Sequence, residues 1–189
     1  MIARRRIGAL AVVAALASSM ATALLAVPAS AAPAITQEIG DVVSTRDLDR
    51  NLWIPGAASA EVLTYVTTDT FGEKALSTGT VFLPPGTAPQ GGWPVISWAH
   101  GTSGLGDACA PSLIGPSYAE RDLPYLANWL AQGYAIVASD YAGLGTPGLP
   151  TYLDGRTTAH NVVDMVKAGR NHSKDLSRSW VAVGQSQGG

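Results

Sequence analysis

The sequence predicts an α/β fold: an open, mostly parallel sheet with an N-terminal antiparallel hairpin. Three features carry that expectation. Residues 61–68 and 74–83 are β-prone stretches separated by a short turn, the pattern of a hairpin. From residue 94 onward, short apolar runs alternate with helical patterns, which implies parallel strands joined by crossover helices. The last apolar run, 180–183, leads straight into Gly184-Gln185-Ser186-Gln187-Gly188. This G-x-S-x-G string fits a sharp strand-to-helix turn that lifts a serine hydroxyl above the end of a sheet.

The chain has 189 residues, 47% of them hydrophobic and 14% charged, a composition for one globular domain and not for a disordered chain. Residues 1–31 read as a signal peptide. Arg4, Arg5 and Arg6 form a basic start, 7–27 is apolar, and Pro28-Ala29-Ser30-Ala31 supplies the small residues of a cleavage site. Cleavage is expected after Ala31, with Ala32 the near alternative. An uncleaved anchor is the other reading of so long an apolar run. Its many alanines and serines favour cleavage, so a secreted protein with no permanent membrane anchor is expected. The net charge is −2; without the three leader arginines, 9 basic residues face 14 acidic ones, or −5. Such a balance offers no basic face, so no nucleic-acid partner is expected. The single cysteine, Cys109, would lie in an oxidising compartment. It is expected either to remain a free thiol or to pair with a cysteine beyond Gly189.

Residues 32–60 carry few periodic signals and are expected to form an arm over the domain, with a short strand at 41–46 and a turn at Ile54-Pro55-Gly56. Residues 61–68 alternate as a strand does, 69–73 turn, and 74–83 return until Pro84-Pro85-Gly86 stops them. A Pro/Gly-rich loop, 87–93, precedes a buried strand at 94–99, which ends in His100-Gly101-Thr102-Ser103-Gly104. Residues 106–116 are expected as loop. In 120–132, Leu123, Leu126, Ala127 and Leu130 have helical spacing; Pro124 is tolerated in the first turn and Gly133 ends the helix. Residues 134–139 are a further buried strand, followed by a turn at 140–145 and a loop at 146–154. Helix 155–170 puts Ala159, Val162, Val163 and Val166 on one face. Residues 180–183 are the last buried strand. Open α/β sheets gather function at the carboxyl ends of their strands. His100-Gly101-Thr102, Asp140-Tyr141 and Ser186 are therefore expected along one edge.

A serine hydroxyl is a weak nucleophile at neutral pH. It needs a base to take its proton and a third group to orient that base. The oxyanion formed on attack needs two N–H donors. The amide of Gln187, directly after the serine, is one candidate. The amide of Thr102 is the other, with Gly101 allowing close backbone approach. Three histidines could be weighed as base. His100 belongs to the oxyanion loop and is expected to brace it. His160 lies in a helix beside its apolar face, and His172 in a polar N-H-S-K-D loop. Around such a turn the acid and the histidine follow the serine in the chain. Neither is assigned here, and both are expected beyond Gly189. A glycine-rich turn that merely closes a strand is the alternative. No metal and no cofactor are expected.

A resemblance supports the first reading. Gly40-Asp41-Val42-Val43-Ser44, Trp98-Ala99-His100-Gly101-Thr102, Cys109-Ala110-Pro111-Ser112, the string from Ser139 through Asp140-Tyr141-Ala142-Gly143-Leu144-Gly145 to Gly148, and Gly184-Gln185-Ser186-Gln187-Gly188 resemble the secretory lipase family of α/β-hydrolases. The likeness runs from about Gly40 to the last residue. The D-Y-x-G-L-G-T-P-G string is more specific than the serine turn. The resemblance implies cofactor-free hydrolysis of carboxylic esters or lipids, acylglycerols included, with Ser186 as nucleophile. Gln185 stands where many members have histidine. The acid, the histidine and the lid region are absent, so residues 32–189 are read as the N-terminal part of an α/β-hydrolase domain, truncated after the nucleophile strand. Residues 1–189 alone are expected to be inactive. The alternatives are a serine peptidase or other acyl hydrolase on the same fold, and a non-catalytic secreted binding module.

Overall fold

The structure is a computed structural model that describes residues 34–189; the leader reading of 1–31 lies outside the described residues. Six strands form one sheet: β1 (Val42–Asp47), β2 (Ser59–Thr68), β3 (Lys74–Leu83), β4 (Trp93–Ala99), β5 (Ala135–Ser139) and β6 (Leu176–Gly184). Their order across the sheet is β1-β2-β3-β5-β4-β6. The pairs β1-β2, β2-β3 and β3-β5 are antiparallel, whereas β4 runs parallel to both β5 and β6. The expected open α/β sheet is present, and it is mixed. Its antiparallel part exceeds a hairpin, because β1 joins β2 and β3 runs against β5.

Successive residues of a strand face opposite sides of a sheet. That rule sorts neighbours here into two cores. Leu63, Val81, Val95 and Val137 pack with Met165, Val166 and Ala168 of helix α3 (Gly155–His172). Val62, Phe82, Ile96 and Ile136 pack on the other side with Leu126 and Leu130 of helix α2 (Ala119–Ala131), and with Leu48 and Ile54. Covered on both faces, these strands read as near-continuous apolar runs. Helix α3 is capped by Asp154, whose carboxylate accepts the Thr157 N–H at 3.1 Å and so pairs an N–H that the helix itself leaves free. Among the described residues no helix is long and apolar enough to cross a membrane.

Three expectations need correction. The segment 32–60 is not only an arm: β1 extends the sheet by pairing Asp47 with Glu61, a 3₁₀ turn follows at Arg50–Leu52, and Leu48 and Ile54 are core residues. The loop 106–116 contains a 3₁₀ turn, Asp107–Cys109, and the short helix α1 (Pro111–Ile114). Pro111 starts that helix because its fixed φ suits the first turn and its missing N–H is not needed there. Finally, residues 180–183 are not buried. They belong to β6, which starts at Leu176, lies at the sheet edge and pairs with β4 alone. Trp180 and Val181 are 40% and 49% exposed. An apolar strand sequence states a preference for cover, and among the described residues that cover reaches only the two ends: Leu176 is buried beside Gly169 of α3, and Val183 packs partly buried against the core on the α2 side.

Gly79, in the middle of β3, makes the packing of α3 possible. A Cβ there would sit 2.7 Å from the Ala138 carbonyl oxygen and would press on the Met165 sulfur. Gly79→Ala is expected to lower unfolding free energy by about 1–3 kcal/mol, the usual cost of overpacking a filled core. Urea denaturation measures this, and an unchanged midpoint would contradict the packing described.

Candidate active site

Strands β5, β4 and β6 are parallel neighbours, so their carboxyl ends lie side by side. His100-Gly101-Thr102 follows β4, Asp140-Tyr141 follows β5, and Gln185-Ser186 follows β6. Gln185 is extended (φ −135°, ψ 129°) and donates its N–H to the Ala99 carbonyl at 3.1 Å. Ser186 then takes φ 53°, in the left-handed region. A 3₁₀ turn, Ser186–Gly188, follows at once, with the Gly188 N–H on the Gln185 carbonyl at 3.0 Å. A residue with a Cβ is uncommon at such a φ, and the conformation costs roughly 1–3 kcal/mol. Gly184 and Gly188 make the turn possible. A Cβ on Gly188 would strike the Ala99 carbonyl, and one on Gly184 would strike the Gly188 carbonyl.

Ser186, Gln187 and Thr102 line one groove of about 360 Å³. The structure thus brings together the three residues singled out from the sequence. Ser186 is exposed at the groove. No hydrogen bond within the described residues takes up the Thr102 N–H, and the Thr102 carbonyl accepts the Ser117 hydroxyl at 3.1 Å. Tyr152, Leu153, Asp154, Gly155 and Thr158 complete the groove. Sequence reasoning gave these five no role. Their only signal was Asp154 just before a helix, a capping position. The Thr157 hydroxyl, at 2.6 Å, holds the Asp154 carboxyl below the usual carboxylate range.

The histidines and Asp140 are engaged elsewhere. His100 is buried; its Nδ1 lies 2.7 Å from the Gly101 carbonyl and its Nε2 3.3 Å from the Asp140 carbonyl. Both partners are carbonyl acceptors, so whichever ring nitrogen carries a hydrogen has a carbonyl to donate to. His160 is exposed on α3, in a separate depression with Asp69 and Arg156. His172 pairs with Glu61 at 2.8 Å. None of the three lines the Ser186 groove. The buried Asp140 carboxylate accepts the Thr78 hydroxyl at 2.6 Å and the Ser112 N–H at 2.9 Å, tying β3 and α1 to the end of β5. Cys109 is half-buried, and its sulfur fills the space beside Gly104.

An exposed serine in a strained strand-to-helix turn, with an unpaired N–H in the loop beside it, is the arrangement that acyl-transfer hydrolases use. No family model matches the chain. Lipase A of Moesziomyces aphidis is 27% identical over 161 residues, covering 79% of this chain and 33% of the relative. A protein of Mycobacterium tuberculosis (strain CDC 1551 / Oshkosh) named "probable inactive lipase" is 29% identical over 138 residues, 65% of this chain and 31% of its own. Among solved structures, Candida antarctica lipase A superposes with a TM-score of 0.68 at 23% identity, over 81% of this chain and 36% of the other, a likeness of fold. The rice cell wall degrading esterase LipA of Xanthomonas oryzae gives 0.63 at 25% identity, over 80% and 44%. The homologues and structural neighbours are thus lipases and esterases of the α/β-hydrolase type. The chain spans about a third of the length of the curated relatives it matches.

Replacing Gly188 by alanine is expected to push the turn away from β4 and cost about 1–3 kcal/mol. At this chain length that is a fall in melting temperature of roughly 2–4 °C per kcal/mol. A thermal melt that does not move would show that Gly188 is not packed on Ala99.

Proposed function

We propose that this chain is part of a secreted carboxylic ester hydrolase, a lipase or esterase that works through an acyl-enzyme on Ser186. The observation that carries the reading is the left-handed Ser186, set between a strand and a helical turn and sharing a groove with Thr102 and Gln187. In the proposed reaction the Ser186 Oγ attacks the ester carbon. Its proton passes to a general base, and the amides of Thr102 and Gln187 hold the oxyanion. The tetrahedral intermediate collapses, the C–O bond to the alcohol breaks, and the alcohol leaves with the base's proton. Water then attacks the acyl-enzyme by the reverse proton route and frees the carboxylic acid. Tyr152 and Leu153 beside the serine suit the apolar part of an ester or lipid.

The base and its orienting acid are proposed to come from chain beyond Gly189, since no histidine lines the groove. Residues 1–189 alone are accordingly proposed to lack turnover. Loss of the histidine in a comparable enzyme costs about a millionfold. Secretion rests on the leader-like residues 1–31. A second reading, a non-catalytic secreted protein, is favoured by one observation: a relative bears the name of a probable inactive lipase.

One labelling experiment separates these readings. The protein is collected from the medium of its natural host and treated with a fluorophosphonate, and its intact mass and labelled peptide are read. The expected result is a chain that begins at Ala32 and carries one phosphonate on Ser186, with no label in Ser186→Ala. A labelled Ser186→Ala variant would remove Ser186 from the reaction. An unlabelled wild-type protein would favour the non-catalytic reading, and a chain beginning at Met1 would remove the leader.

A further inference from the structure

We infer that Tyr141 is a positioning residue for the loop that supplies the Thr102 amide. The meaning of that loop rests on the ester-hydrolase reading; the mechanical argument rests on the side chains around Tyr141.

Tyr141 follows β5 and is fully buried, so it is not a groove residue. Its backbone has φ 71°, a conformation that a glycine or asparagine would adopt at less cost. Its hydroxyl donates to the His100 carbonyl at 2.8 Å. Its ring stacks on the His100 imidazole, with centroids 4.2 Å apart and planes 17° apart. Both contacts fall on the residue at which the Thr102 loop begins.

The strained backbone is held in turn. The Tyr141 N–H donates to the Ser139 hydroxyl at 2.9 Å. The Tyr65 hydroxyl spends its one hydrogen on the Asn161 carbonyl, 3.0 Å away, so across the 2.6 Å contact with Tyr65 it is Ser139 that donates. The next residue, Ala142, donates its N–H to the Asn161 side-chain oxygen at 2.9 Å. Strand β2 and helix α3 thus fix the backbone of Tyr141, and Tyr141 fixes His100. On the opposite flank the Gln185 side chain occupies the space a Cβ would need at Gly101. The loop is gripped between Tyr141 on the β5 side and Gln185 on the β6 side. The Tyr141 phenol is suited to the task because burial pushes its pKa far above the usual range, which keeps it a donor at any working pH.

Core packing alone does not require this arrangement. A phenylalanine would fill the same volume. The hydroxyl adds a bond to a buried carbonyl that would otherwise lose its partner. Without it the loop should keep its fold and lose its placement. Such a defect weakens transition-state stabilisation more than substrate binding.

The test is Tyr141→Phe in the natural protein, assayed on p-nitrophenyl butyrate and by amide hydrogen exchange. The expected loss in kcat is about ten- to a hundredfold, smaller than the hundred- to thousandfold cost of removing an oxyanion donor outright. KM is expected to change by less than about twofold, the mark of an interaction made in the transition state. Exchange is expected to speed up at residues 100–103 and to stay unchanged in β2 and α3. Wild-type kcat, or exchange that is unchanged or raised uniformly, would overturn the inference. A wild-type protein that hydrolyses no ester would sink the ester-hydrolase reading, and exchange at 100–103 would still decide the positioning role. Should Tyr141→Phe fail to fold, 4-fluorophenylalanine at position 141 fills the space of the hydroxyl without its donor, and the same exchange readout applies.

Discussion

Everything at this edge of the sheet depends on how closely the exit of β6 passes the end of β4. Gly188 lies against the Ala99 carbonyl, and Gly184 lies against Gly188 itself. A side chain at either position would push the turn outward. Ser186 would then lose the left-handed conformation that directs it, and the groove shared with Thr102 would open. The strain at Ser186 is tolerated because the backbone bonds on both sides over-determine it: Gln185 N–H to Ala99, Gly188 N–H to Gln185 and Gly189 N–H to Ser186. Two glycines and three hydrogen bonds therefore hold one serine where a nucleophile is useful.

The second support is a set of buried polar groups between the sheet and α3. Asn161 donates to the Thr67 hydroxyl at 2.8 Å and to the Thr68 carbonyl at 2.9 Å, while accepting from Ala142. Thr67 donates to the Asp164 carboxylate at 2.7 Å, whose pKa is raised by burial and drawn back by that bond. Buried polar groups are expensive when left unpaired, and a fully paired network rigidifies what it joins. Here it joins β2, α3 and the turn after β5. The exceptions are informative. Among the described residues, buried side-chain atoms without a partner include the hydroxyl of Ser103, which follows Thr102 in the loop, and the Gln185 side-chain oxygen, which lies beside Gly101. Local rules are relaxed where a fold serves a site.

Much of this was legible in the sequence. The two cores follow from alternation, as in Val81-Phe82 and Val95-Ile96, where each neighbour serves a different face. Helix α3 was readable from Val162 and Val166, although Ala159 and Val163 of the expected face are exposed and Met165 and Ala168 are core residues instead; the serine turn was readable from its glycines. Other features were not, for physical reasons. The strand at 41–46 was readable but its place in the sheet was not: β1 is mostly exposed, and it extends the sheet because β2 offers it unpaired backbone groups. The exposure of Trp180 and Val181 depends on what lies beside them, which composition does not record. Tyr152 and Leu153 reach the groove through the path of a loop, and no periodicity describes that path; Thr158 reaches it from the first turn of α3. The grip of Tyr141 on His100 joins residues far apart in the chain, brought together by the pairing of β4 with β5.

The central claim is that Ser186 attacks and that Thr102 and Gln187 receive the negative charge. A crystal structure of the natural protein after reaction with a phosphonate ester tests it most directly, because the bound phosphonate imitates the tetrahedral intermediate. The account predicts a covalent bond from phosphorus to the Ser186 Oγ. It also predicts a phosphoryl oxygen about 2.7–3.1 Å from the backbone nitrogens of both Thr102 and Gln187. A phosphonate on another residue, or a phosphoryl oxygen turned to solvent away from those two amides, would contradict it.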